Sequence, residues 1–188
     1  PLWFAGFSPN GEQIITVSED KTARMWATQT GRLQHELKGH TDWAVWAAFS
    51  PDGRQVITVS VDGTGLAWDT TSGALQYELL GHAEGIWDVQ FSKKGNRIVT
   101  ASTDHTARLW DAQTGALLGV FQGHTGPVTF ASFLPDGEMV VTGSTDQTAR
   151  IYPSERQSLI SQACTHLARW PNYRQEITEL CRKIKSRY

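Results

Sequence analysis

Short apolar and β-branched runs recur along most of the chain, separated by Gly, Asp and Pro turns. Between Gly39 and Leu80 the run Val45–Ser50 is apolar and aromatic and stops at Pro51-Asp52-Gly53. Gln55–Ser60 is β-branched and stops at Val61-Asp62-Gly63; Thr64–Trp68 precedes a polar turn at 69–73, and Leu75–Leu80 closes the unit. Runs this short between tight turns predict four antiparallel strands in a meander. The run Val56-Ile57-Thr58-Val59 does not alternate with polar residues, which predicts a sheet covered on both faces. Helix is disfavoured there by the β-branched content and the closely spaced turn signals.

The unit repeats. Gly39-His40, Gly81-His82 and Gly123-His124 stand 42 residues apart, and the same step links Phe7, Phe49, Phe91 and Phe133. It also links Ser18, Ser60, Ser102 and Ser144; Asp20, Asp62, Asp104 and Asp146; and Trp26, Trp68, Trp110 and Tyr152. A period near 40 with Gly-His at one end and Trp-Asp at the other marks a propeller blade. Residues 1–152 resemble the WD-repeat β-propeller family on these motifs, with copies at 1–38, 39–80, 81–122 and 123–152. The resemblance implies an all-β fold of four-stranded blades, the last without its outer strand. It also implies a buried hydrogen-bonded tetrad of His, Ser/Thr, Asp and Trp in each blade. The matching sets are His40, Ser60, Asp62, Trp68; His82, Ser102, Asp104, Trp110; and His124, Ser144, Asp146, with Tyr152 in place of Trp. The first copy offers Ser18, Asp20 and Trp26, its Gly-His falling before residue 1.

Such a set makes chemical sense. A buried carboxylate needs donors; His supplies one N–H to Asp and sets its other nitrogen against the Ser hydroxyl, which accepts from the indole. A catalytic Ser-His-Asp triad uses the same residue types but is needed once, whereas this trio recurs blade after blade. Gly-His pairs on separate blades do not converge, so no metal site is expected. Phosphate loops, nucleophile elbows and metal-ligand spacings are missing from the sequence, so neither an enzyme nor a cofactor is expected.

The ends depart from the pattern. Pro1 is in phase with Pro127, so the first copy lacks a Gly-His and a preceding outer strand. Where the other copies have an outer strand, the fourth reads Arg156 to His166, with Leu159, Ile160, Ala163, Cys164, Leu167 and Ala168 at helical spacing. Ser154 with Gln157 fits a capping box. After Trp170-Pro171 a second amphipathic helix is expected from Asn172, ending in Arg182, Lys183, Lys185 and Arg187, where cations suit the helix dipole. Residues 153–188 are thus expected to be a helical tail. Fifteen strands of a nominal sixteen suggest the C-terminal part of a longer propeller, or two chains sharing an eight-bladed ring. The chain end also resembles the tails of bacterial multidomain WD-repeat proteins, in which a signalling domain precedes the propeller.

Charge and composition narrow the partners. With 17 basic against 19 acidic residues and a net charge of −2, no broad grip on nucleic acid or anionic membrane is expected. No apolar run reaches the ~18 residues of a membrane span, and the first residues show no signal-peptide pattern of basic start, apolar middle and small-residue cleavage site. Cys164 and Cys181 lie outside the repeats without metal spacing, which points to a reducing cytoplasm. Eight Trp is a high count for 188 residues. Trp46 is expected between blades. Trp43 follows Gly-His, beyond the first strand, where the in-phase residues are Pro1, Gly85 and Pro127. An aromatic there predicts a protein or peptide site on the face of the Gly-His and second-turn loops. Asp42, Val61, Glu84 and His105 would surround it, and Trp3 and Trp87 are further candidates.

Overall fold

The computed structural model describes residues 1–154. It contains fifteen strands and, among the described residues, no helix. The first blade is β1 (Leu2–Phe7), β2 (Gln13–Ser18), β3 (Thr22–Ala27) and β4 (Leu33–Lys38). The second is β5 (Ala44–Phe49), β6 (Gln55–Ser60), β7 (Gly65–Asp69) and β8 (Leu75–Leu79). The third is β9 (Ile86–Phe91), β10 (Arg97–Ser102), β11 (Ala107–Asp111) and β12 (Leu117–Phe121). The fourth has β13 (Val128–Phe133), β14 (Met139–Ser144) and β15 (Ala149–Pro153), with no fourth strand among the described residues. Every sheet is an antiparallel meander in chain order. The helices expected over 153–188 lie outside the described residues, apart from Pro153, which ends β15, and Ser154.

Local chemistry sets the turns. The Ser50 hydroxyl donates to Asp52 (2.6 Å) and accepts the Gln55 N–H (3.0 Å), which closes the β5–β6 hairpin. The Asp69 carboxylate accepts the N–H groups of Thr71 and Ser72, which turns the chain into β8. The second turn needs a left-handed residue at its tip. Gly63 (φ 83°), Lys21 (71°), His105 (67°) and Gln147 (66°) fill that place. Gly63 has a second reason, since a Cβ there would lie 3.1 Å from the Glu84 carbonyl oxygen of the next blade.

Blades pack in sequence. The innermost strand β5 lies on β1 and β2, β9 on β5 and β6, and β13 on β9 and β10. Each junction has an apolar core, such as Ile15, Val17 and Met25 against Ala47, Val56 and Trp68. The next joins Ile57 and Val59 to Val89, Ile98 and Trp110. Trp46 is half-buried, its ring 4.1 Å from that of Phe4, so it packs between blades as its position predicts. Burial of all but the first residue of β6 and of β10 explains their unbroken apolar runs.

Each innermost strand carries a β-bulge. Leu2 pairs with Ser18 and Phe4 with Val17, which leaves Trp3 as an extra residue. The same irregularity leaves out Val45, Trp87 and Thr129. A bulge bends the strand and re-aims the residue it leaves unpaired. A two-residue period along the sequence does not reveal it.

Candidate functional site

Two constellations follow from this framework, one inside the blades and one on their rim. In the third blade His82 Nδ1 lies 2.7 Å from Asp104 Oδ2, and Nε2 lies 2.8 Å from Thr100 Oγ1. The Trp110 indole donates to the same hydroxyl at 2.9 Å. The pattern fits a neutral imidazole with its proton on Nδ1: it donates to Asp104, accepts from Thr100, and Thr100 accepts from Trp110. Burial pushes the His82 pKa down against the opposing pull of Asp104, in keeping with that neutral form. Burial acts to raise the Asp104 carboxyl, but hydrogen bonds from Thr106 and His82 outweigh it and hold it at about 2.

The hydroxyl is therefore a threonine, and not Ser60, Ser102 or Ser144 as the in-phase serines suggested. Thr58, Thr100 and Thr142 each meet the His Nε2 at 2.8 Å. These residues sit two positions earlier on the same strand face, in the middle of β6, β10 and β14, where the indole reaches. The serines stand at the strand ends and shape the turn instead. Ser102 Oγ accepts the Asp104 N–H (3.1 Å) and donates to the Glu84 carbonyl (3.0 Å), and Ser60 and Ser144 do the equivalent.

The other blades vary the set. In the second, His40 Nδ1 is 3.3 Å from Asp62 Oδ2 and 3.2 Å from Thr64 Oγ1, and Trp68 donates to Thr58 at 3.0 Å. Burial acts to raise the Asp62 carboxyl, yet His40 and Thr64 hold it well below the usual carboxylate range. In the fourth, His124 meets Asp146 at 2.8 Å, but Tyr152 does not replace the indole. Its hydroxyl donates instead to the Gln122 carbonyl (3.0 Å), and its ring stacks on Phe121. The first blade keeps only part of the network: Trp26 donates to Thr16 (2.9 Å), not to Ser18. Ser18 Oγ accepts the Asp20 N–H, and exposed Asp20 pairs with Arg24 at 2.9 Å. Thr22 holds the Asp20 carboxyl at about 2.

On the rim, the structure brings Trp3, Trp43 and Trp87 together. Trp3 and Trp43 stack at 6.0 Å between ring centroids with 29° between planes, and Trp87 meets Trp3 edge-on at 6.2 Å and 81°. Trp43 is 41% exposed and Trp3 45% exposed. Trp3 and Trp87 are the bulged residues of their strands, and Trp43 lies in the loop between them along the chain. Asp42 accepts the Trp43 N–H (2.8 Å), and the Trp43 carbonyl accepts the Val61 N–H (3.0 Å), so the loop beneath the ring is braced. Gly85 closes on the Val61 backbone, where a Cβ would lie 3.1 Å away, and Glu84 is exposed beside it. His105 is exposed at the tip of the third blade's second turn. Among the described residues no group of three or more His, Cys, Asp or Glu could hold a metal ion.

The model of the family described as "WD domain, G-beta repeat" matches residues 2–27, 31–69, 73–111 and 115–152. The chain belongs to the WD-repeat family. WD-repeat propellers generally serve as non-catalytic scaffolds for protein–protein interaction. Over 34 residues the WD-repeat chain is 53% identical to Protein tipD of Dictyostelium discoideum, a stretch covering 18% of this chain and 6% of that protein. The chain thus spans a small part of the length of that curated relative.

Proposed function

We propose that these WD repeats form a protein-interaction surface of a larger cytoplasmic signalling protein, and that a protein or peptide segment binds on the rim of the Gly-His and second-turn loops. The observation that carries this is the cluster of exposed Trp43 and Trp3 with half-buried Trp87. Large apolar rings left in water on a braced loop are the anchors of interfaces. Asp42, Glu84 and His105, with apolar Val61 among them, give the mixed, mainly polar surround of such a patch. The net charge of −2 favours a protein partner over a polyanion. The test is a selection of peptides from a random displayed library on the immobilised chain, followed by hydrogen-exchange mapping. Protection over 41–44, 61–63 and 84–87 is expected. Protection confined to the outer strands would refute the rim site.

A second reading is self-association that completes the ring. It is favoured by the large exposure, among the described residues, of Leu2 and Phe7 on the first blade and Ile151 on the fourth.

A further inference from the structure

The outer strand of the third blade departs from its equivalents in one direction. Leu118 and Val120 on β12 stand where β4 has Gln34 and Glu36 and β8 has Gln76 and Glu78. Leu80, at the end of the second blade, stands where the first has Lys38 and the third has Gln122. All three are exposed, Leu80 at 58%, Leu118 at 51% and Val120 at 38%. Gln76 and Glu78 are exposed as well, although complete blades lie on both sides of theirs. Exposure at these positions therefore belongs to the outer strand itself and does not depend on either end of the described residues. β12 reads Leu-Leu-Gly-Val-Phe without a charge, whereas charges are what guard an edge strand against pairing.

The same change leaves an arginine short of a partner. In the first blade Arg24 is held by two carboxylates, Asp20 at 2.9 Å and Glu36 at 3.1 Å. Arg108 is in phase with Arg24, and the residue opposite it on β12 is Val120. Asp104 lies 3.9 Å away, and its oxygens already accept from His82, Ala83 and Thr106. The Arg108 side chain is only 16% exposed, and among the described residues its Nε is buried without a hydrogen-bond partner. Gly81, next to Leu80, admits the guanidinium, since a Cβ there would lie 2.5 Å from Nη1. A guanidinium held in place with donors to spare suits a carboxylate, and arginine is a frequent anchor of interfaces.

We propose that an extended segment of a partner protein lies along β12, sets a carboxylate on Arg108 and lays apolar side chains against Leu80, Leu118 and Val120. Charge complementarity selects the partner: it supplies from outside the carboxylate that Glu36 supplies within the first blade. The free edge of β12 offers main-chain bonds to an added strand. This surface lies at the outer edge of the sheet, away from the Trp43 rim, and does not rest on that reading.

Fluorescence anisotropy with the whole chain tests this, using a labelled heptapeptide of alternating Leu and Glu and its counterpart with Gln for every Glu. The Glu peptide should bind the wild type roughly ten-fold tighter than the Gln peptide, or more. Val120→Glu restores a carboxylate opposite Arg108 at an exposed site. It should fold as the wild type does by circular dichroism and weaken the Glu peptide roughly ten-fold or more. Leu75→Glu adds the same charge to the outer strand of the second blade and should leave binding unchanged, as should Trp43→Ala. Hydrogen exchange on the complex should show protection over 117–121. Equal affinity for the two peptides, no binding of either, or equal losses from Val120→Glu and Leu75→Glu overturns the inference. Loss through Trp43→Ala, with protection over 41–44 in place of 117–121, also overturns it and leaves the rim reading standing.

Discussion

Replacing Thr100 by Val removes one oxygen atom from the third blade and keeps nearly the same shape. Thr100 and Trp110 are almost wholly buried, and so is the His82 ring. The lost hydroxyl strands two polar groups at once: His82 Nε2 loses its donor and the Trp110 indole N–H loses its acceptor. Each stranded buried group costs about 1–3 kcal/mol, so Thr100→Val should lose about 3 kcal/mol. Thr100→Ser keeps the hydroxyl and deletes a methyl group, at a cost of about 1 kcal/mol. Thr142→Val in the fourth blade falls between them, because Tyr152 bonds to Gln122 and only His124 is stranded. Urea unfolding followed by tryptophan fluorescence and circular dichroism gives the three values, with unchanged slopes confirming comparable transitions. The reasoning fails if Thr100→Ser is as damaging as Thr100→Val, or if Thr142→Val costs the most.

Asp104→Ala should cost about 2–4 kcal/mol, read in the same unfolding assay, because it strands the His82 Nδ1–H and the Thr106 hydroxyl in a buried site. Stability should fall as the pH drops below about 6.5, because the unfolded chain binds a proton that buried His82, with its lowered pKa, resists. A further loss of about 2 kcal/mol should follow between roughly pH 4 and pH 2, as Asp104, held at about 2 when folded, titrates; thermal melts across pH check both steps. Asp88 is buried, spends one oxygen on the Ala131 N–H and leaves Oδ1 unbonded, and burial raises its pKa. Its ionisation opposes folding as pH rises through that raised value, so Asp88→Asn should raise the melting temperature at pH 7 and lose this advantage near pH 4.

The strand plan is legible in the sequence because turn residues are local signals. Gln55–Ser60 is β6 as predicted; β5 and β7 are each displaced from their predicted spans by one residue at both ends, and β8 ends one residue early. The His, Asp and Trp of the tetrads are legible for the same reason, since Gly-His, the second turn and Trp-Asp each sit at a chain landmark. The hydroxyl is not. Ser60 and Thr58 share a strand face, both recur with the period, and only the depth of the indole in the sheet selects Thr58. Tyr152 is in phase with the tryptophans, yet its hydroxyl extends beyond an indole nitrogen and finds a backbone carbonyl. The rim is half legible: Trp43 stands out by having small residues at its equivalents. Its stacking with Trp3 depends on a bulge and on blade packing, which no local pattern encodes.

The functional account stands on Trp43 serving a partner and not the fold. A peptide selected on the wild-type chain, with its Kd and the melting temperature of the chain measured for wild type and Trp43→Ala side by side, tests this directly. Affinity should fall roughly 30-fold or more, about 2 kcal/mol. The melting temperature should stay nearly unchanged, since the ring is 41% exposed and the substitution leaves the Trp43–Val61 backbone bond in place. Unchanged affinity, or a fall in melting temperature matching the loss of binding, would contradict the account.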